Sequence, residues 1–205
     1  MEDVLALYAQ PADPEYPVVC FDERPVQLHS EVHPPQAVQP GRVRRIDYEY
    51  RREGTCNLFM CFQPSAGWRW VKVTERRTKV DFAQCMKALV DEHFPHAKRI
   101  RVVMDNLNTH SFGSLYAAFE PQEAFRLTQK LEFHYTPKHG SWLNMAEIEF
   151  SILARQCLSR RIPSLSQLDT DVSAWTHDRN AQSATVRWRF TLSDARARLH
   201  WLYCS

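Results

Sequence analysis

Five short runs rich in β-branched and aromatic residues are interleaved with segments of helical periodicity, and that order constrains the fold more than any other feature of the chain. Residues 18–22 (VVCFD) are introduced by Pro17 and closed by polar residues, the pattern of a buried strand. Residues 55–63 and 68–73 are two more β-rich runs, and Pro64, Ser65, Ala66 and Gly67 between them fit a hairpin loop. Thr78 with Asp81 three positions on makes a capping-box start, followed by Phe82, Met86, Leu89 and Val90 at helical spacing until Pro95. Residues 100–104 then read as a strand, 113–130 as a helix interrupted by Pro121, and 131–135 as a strand. The spacing predicts a helix over 142–158, and Ser164 with Gln167 opens another that reaches about residue 180. Three strands followed by alternating helices and strands predict an α/β fold, a mixed sheet covered by crossover helices with extra helices at the end. Residues 30–53, rich in Pro, His and Arg and poor in aliphatics, are expected to leave the core as a long excursion.

At 205 residues the chain can bury roughly 70% of its unfolded surface without covalent staples. Cys20, Cys56, Cys61, Cys85, Cys157 and Cys204 are scattered, several of them within apolar runs, and read as reduced thiols of a cytosolic protein. A zinc site built from Cys56 and Cys61 with His29 and His33 is poorly supported, because the cysteines sit four intervening residues apart in an expected strand. No apolar run approaches the roughly 20 residues of a membrane span, and Glu2 and Asp3 stand where a signal peptide carries positive charge. The net charge of +2 conceals clusters at Arg42, Arg44, Arg45, Arg51 and Arg52 and at Arg155, Arg160 and Arg161. Taken alone, such clusters are more often a solvated face than a nucleic-acid surface.

Three carboxylates change that balance. Asp22 and Asp105 each close an apolar strand, a position held rigidly yet open to solvent, although either one alone is more often a turn residue or helix cap. In the helix expected after Trp142, the residues Leu143, Ala146, Phe150, Ala154 and Cys157 form an apolar stripe, and Glu147 is expected inside it with Glu149 on the flank as a solvated acid. A buried, unpaired carboxylate costs several kcal/mol, so on this reading Glu147 needs a cation, a hydrogen-bonding network or a raised pKa. Carboxylates converging from two strand ends and a helix suit a hard cation such as Mg2+ or Mn2+, and two such ions about 4 Å apart serve phosphoryl transfer.

The blocks CFDE at Asp22, MDNLNTH at Asp105 and HYTPKHGSWLNMAEIEFS at Glu147, in this order, resemble bacterial insertion-sequence transposases of the mariner-related DDE superfamily. The likeness covers roughly residues 18–190. The chain departs from the family pattern at Met145 and Ala146, where Pro and an aliphatic residue often precede the Glu. The resemblance implies a ribonuclease H-like fold, Asp22, Asp105 and Glu147 as catalytic metal ligands, and Mg2+ as cofactor, with Mn2+ able to replace it and two ions in use. It further implies hydrolytic cleavage at transposon ends and attack of the released 3′-hydroxyl on target DNA. DNA is then the expected partner, a homodimer is compatible with the pattern, and the location is cytoplasmic and nucleoid-associated. Such transposases carry N-terminal helix-turn-helix domains, whereas this chain reaches its first catalytic strand almost at once. The expectation is therefore a single catalytic domain over residues 1–205, with 30–53 as the excursion and 164–205 as a C-terminal helical extension.

Secondary candidates stand beside plainer readings. Asn106 and His110 can orient Asp105 or touch a phosphate, or simply serve as turn and helix-start residues. Lys138 and His139, and the segment with Arg42, Arg44, Arg45, Arg51 and Arg52, are candidate DNA contacts. Trp142 can stack on an unpaired base, but an aromatic opening an apolar helix is expected in the core. Two other functions keep the same residues in play: a ribonuclease H-like nuclease or resolvase without strand transfer, and a non-catalytic DNA-binding remnant.

Overall fold

A computed structural model describes residues 1–33, 41 and 48–199. Strands β1 (Val18–Glu31), β2 (Tyr50–Gln63) and β3 (Trp68–Thr74) run antiparallel, and β4 (Ile100–Met104) and β5 (Leu131–Tyr135) add in parallel on the other side of β1. The resulting order is β3-β2-β1-β4-β5. This is the mixed sheet expected from the element order: consecutive antiparallel strands need only short turns, whereas the parallel strands are joined through helices.

Residues of β1 alternate between the two faces. Cys20 joins Leu58, Met60 and Phe62 on one side, under helices α1 (Glu2–Tyr8), α5 (Ala146–Gln156), α6 (Leu165–Ala181) and α7 (Leu192–Arg198). Val19 and Phe21 join Phe59, Cys61, Val102 and Met104 on the other, under α2 (Lys79–Ala88), α3 (Phe112–Ala118) and α4 (Pro121–Lys130). The expected local signals operate. Thr78 and Asp81 cap α2 reciprocally, Ser164 accepts from the Gln167 N–H at the start of α6, and Pro121 opens α4 after Glu120 takes the extended conformation that a following Pro favours. Gly67 closes the β2–β3 turn at φ +63°, where an added Cβ would stand 2.5 Å from the carbonyl carbon of Ser183.

Three expectations need correction. The N-terminal residues form α1, which carried no clear signal in the sequence. Strand β1 does not stop at Asp22 but continues to Glu31, because its polar second half keeps pairing with β2 out to Tyr50. The excursion expected over 30–53 is correspondingly shorter, and Arg42, Arg44 and Arg45 lie outside the described residues. The second arginine cluster is absorbed into the fold, where Arg160 pairs with Asp171 and Arg161 with Glu31. Cys20, Cys56, Cys61, Cys85 and Cys157 are free and buried, and Cys204 lies outside the described residues. Among the described residues no helix is long and apolar enough to cross a membrane.

Candidate active site

The parallel register fixes the first two carboxylates. Cys20 pairs with Val103 at the end of the β1–β4 ladder, so two residues further on Asp22 and Asp105 come abreast, on strands about 4.8 Å apart. Both share the parity of Cys20 and Val103, whose side chains lie in the cluster with Ala146 and Phe150 of α5. Glu147 occupies the first turn of that helix. The three acids sense one another: burial above all, and then the Asp105 and Glu147 carboxylates, push the Asp22 carboxyl up to about 7, against the Glu23 N–H that donates to Asp22 Oδ1 at 2.8 Å. The cluster is open, for among the described residues no three His, Cys, Asp or Glu side chains close around a point that could hold an ion.

Asp105 is held from behind. His110, fully buried, sets Nδ1 2.6 Å from Asp105 Oδ1 and Nε2 3.6 Å from Glu23 Oε2. Burial alone would lower the imidazole, but these carboxylates raise it to about 9, so it is protonated at neutral pH. Its ring packs edge-on to Phe21 at 5.3 Å and lies 5.0 Å from Phe82, and the Tyr135 hydroxyl donates to its carbonyl at 2.8 Å. His110 is thus packed directly against Asp105, as one of the three readings open to it in the sequence requires, while Asn106 is exposed.

Glu147 is held from below. The Asn144 side chain, buried, donates to the carbonyl of Phe21 at 2.8 Å and accepts from the Ala146 N–H at 3.2 Å, fastening the start of α5 to β1 beside Asp22. The Tyr8 hydroxyl donates to the Leu143 carbonyl at 2.8 Å. The sequence assigns neither Asn144 nor Glu23 a role at the site, although both lie in the blocks around the acids.

Leu143, Ala146, Phe150 and Cys157 are buried as expected, but the burial predicted for the two glutamates of α5 is reversed. Residues 141–143 form a 3-10 turn and α5 begins only at Ala146, so the buried stripe is Ala146, Glu149, Phe150, Leu153 and Cys157. Glu147 is exposed and Glu149 is 0% exposed. Glu149 is paired twice, to Arg69 Nε at 3.0 Å and to Arg179 at 2.8 Å, and is therefore a structural anion, not a ligand at the open edge. Trp142 is likewise 43% exposed instead of sitting in the core. Lys138 and His139 are exposed on the loop that leaves β5, next to the end of β4 from which Asp105 emerges. Arg51 and Arg52 are exposed but remote: Arg52 pairs with His29, seven residues beyond Asp22, or about 23 Å along the strand.

A mixed five-stranded sheet with two aspartates at a parallel strand edge and a glutamate on the covering helix defines an α/β class built for carboxylate-based chemistry. Residues 17–169 match the family described as DDE superfamily endonuclease, and the chain belongs to that family. No curated protein matches the chain. Its fold is similar to that of the Mos1 mariner paired-end complex with Mn, with a TM-score of 0.56 and 14% identity over 98% of this chain and 58% of that one. The Mos1 strand transfer complex gives a TM-score of 0.58 and 12% identity over 98% of this chain and 57% of that one. A pre-cleavage Mos1 transpososome gives 0.55 and 13% over 88% and 58%. The fold is thus ribonuclease H-like, and the chain spans under three-fifths of the length of those relatives.

Proposed function

We propose that the chain is the catalytic domain of a mariner-related DDE transposase, with Asp22, Asp105 and Glu147 as its catalytic, metal-holding carboxylates. The observation that carries this reading is the meeting of Asp22 and Asp105 in parallel register under the helix bearing Glu147, inside a chain of the DDE endonuclease family. The donor set fits a divalent cation: it is all oxygen, and burial above all, with the neighbouring carboxylates adding to it, makes the Asp22 charge costly in a way that a bound cation relieves. DDE transposases depend on divalent metal, and one Mos1 structure contains Mn. We assign Mg2+ in use, Mn2+ as a substitute, and two ions. When bound, the ions supply Lewis-acid activation of the attacking oxygen and charge relief at the leaving one.

The chain's own residues supply position. His110 orients the Asp105 carboxylate and Asn144 sets the start of the Glu147 helix. Lys138, His139 and Asn106, exposed at the same edge, meet backbone phosphates. Arg42, Arg44, Arg45, Arg51 and Arg52 form a second DNA-contacting segment, of which Arg51 and Arg52 are exposed. In the first reaction water attacks the phosphorus at the transposon end, the P–O3′ bond breaks, and the 3′-oxygen leaves as a hydroxyl. In the second that hydroxyl attacks a target phosphodiester, forming one P–O bond as another breaks. The partners are transposon-end and target DNA, with a second copy of the chain alongside; among the similar structures are a Mos1 paired-end complex with left transposon end and a Mos1 strand transfer complex. The location that follows is a bacterial cytoplasm, on the nucleoid.

The test supplies a linear duplex with free 3′-hydroxyl ends, a supercoiled plasmid and Mn2+. Joined products that vanish in Asp105→Ala are expected. Nicking without joining would replace the reading with a simple nuclease, and activity surviving in Asp105→Ala would remove the site altogether.

A further inference from the structure

We infer that Trp142 is a stacking platform for an unpaired nucleobase next to the scissile phosphate, so that the DNA taken by this site is frayed or single-stranded at the cut. The inference rests on the reading of the site as acting on DNA. Trp142 sits in the 3-10 turn of residues 141–143, two residues before Asn144, whose side chain touches β1 beside Asp22. Its ring lies nearly parallel to Trp188, at 6.0 Å between centroids and 19° between planes, and Phe190 meets it edge-on at 5.5 Å. Trp188 is itself fixed, since its Nε1–H donates to the Phe190 carbonyl at 2.8 Å and its ring packs on Tyr8 at 5.4 Å. The indole is backed on one face by a rigid aromatic and remains 43% exposed.

A large apolar surface left in water is unfavourable, and this one stands on the turn that leads through Asn144 into the Glu147 helix, whose acids would repel an intact, uniformly charged backbone unless something else held the strand. Ile148, the residue after Glu147, and Leu107, two residues after Asp105, are also exposed, so apolar side chains follow the acids on both α5 and the loop after β4. Paired DNA presents phosphates and base edges but hides the faces of its bases, and an exposed indole finds a stacking partner only where a base is unpaired. Lys138 and His139, exposed on the loop leading into the same turn, can hold the phosphates on either side of such a base.

The experiment measures binding by fluorescence anisotropy in Ca2+, with labelled duplexes that are either blunt or carry three unpaired nucleotides at one 3′ end. The wild-type chain should prefer the frayed duplex by at least about fivefold. Trp142→Ala should lose that preference while still binding blunt duplex, and Trp142→Phe should keep most of it. Thermal unfolding of the three proteins establishes that both variants are folded, and the Phe variant retains an aromatic against Trp188 should the Ala variant prove unstable. Equal affinity of the wild type for the two duplexes, or a preference that persists in a folded Trp142→Ala, would overturn the platform and leave the proposed chemistry standing. Absence of binding to either duplex would overturn both.

Discussion

Helix α5 separates two charge clusters that look alike in the sequence and differ in every physical respect. On one side Glu147 joins Asp22 and Asp105 at an edge where Asp105 is 37% exposed. On the other, some 200° around the helix, Glu149 lies between Arg69 and Arg179, and Arg69 also bonds to the Asn180 side chain and the Ala184 carbonyl and rests over the Phe62 ring at 5.2 Å. The buried cluster is internally paired and ties β3, α5 and α6 together. The open cluster holds like charges close together, and among the described residues His110 stands at its back as the opposing charge. Pairing with two arginines in the interior therefore marks Glu149 as structural, whereas like charge gathered at a rigid edge is the ground for the function proposed for Glu147.

The comparison breaks most decisively if the open cluster can lose a member without consequence. Replacing Glu147 by Gln should lower DNA cleavage on the order of a thousandfold or more, with little change in the unfolding midpoint because the side chain is exposed. Steady-state cleavage and thermal unfolding on the same preparation check this. Glu149→Gln should do the opposite in kind. It leaves two guanidinium groups facing a neutral amide in the interior, a loss of about 3–5 kcal/mol of stability, measurable by urea unfolding. A Glu149→Gln protein as stable as the wild type, yet inactive, would reverse the assignment of the two glutamates.

Why the two were interchanged in the sequence is a matter of helix phase. A helix counted from Trp142 places Leu143 and Ala154 on the buried stripe and draws Glu147 in with them. The real helix begins at Ala146 after a 3-10 turn and buries Leu153, which turns the stripe toward Glu149. The arginines that make its burial tolerable come from β3 and α6, and no local pattern announces them. The same turn explains Trp142, which faces outward because it precedes the helix instead of opening it. Where the signal is local the sequence was sufficient: residues 100–104 and 131–135 coincide with β4 and β5, and the Thr78 and Ser164 caps mark the starts of α2 and α6. Asp22 was recognisable by its apolar run, but the continuation of β1 to Glu31 depends on pairing with β2, which a polar stretch does not advertise.

The metal response sharpens the same comparison with a smaller effect. Mn2+ at about 100 times its dissociation constant should stabilise the folded chain by roughly 2.7 kcal/mol for one site. Thermal unfolding with and without Mn2+ should show that shift in the wild type and not in Glu147→Gln. A shift that survives in Glu147→Gln would mean the ion rests elsewhere, and the open cluster would lose its distinguishing property.

A third cluster sets the lower limit, because it is paired like the buried one and open like the one at the strand edge. Glu123 meets Arg126 at 2.7 Å and also Lys87, and both cations reach Asp91, at 2.9 Å and 2.8 Å. The hydrogen bonds from Arg126 and then Lys87 hold the Glu123 carboxyl down to about 2, from 4.5. A lowered carboxylate contributes stability that is present above its unfolded value and is lost as pH falls through the folded one, here from about 4.5 down to 2. In water the pairs are screened, so the contribution should stay below about 1 kcal/mol. Urea unfolding of wild type and Glu123→Gln should differ by no more than that at pH 7, with the gap closing as pH falls toward 2. A loss as large as that expected for Glu149→Gln would mean that pairing alone, and not pairing combined with burial, sets the worth of a charge cluster in this fold.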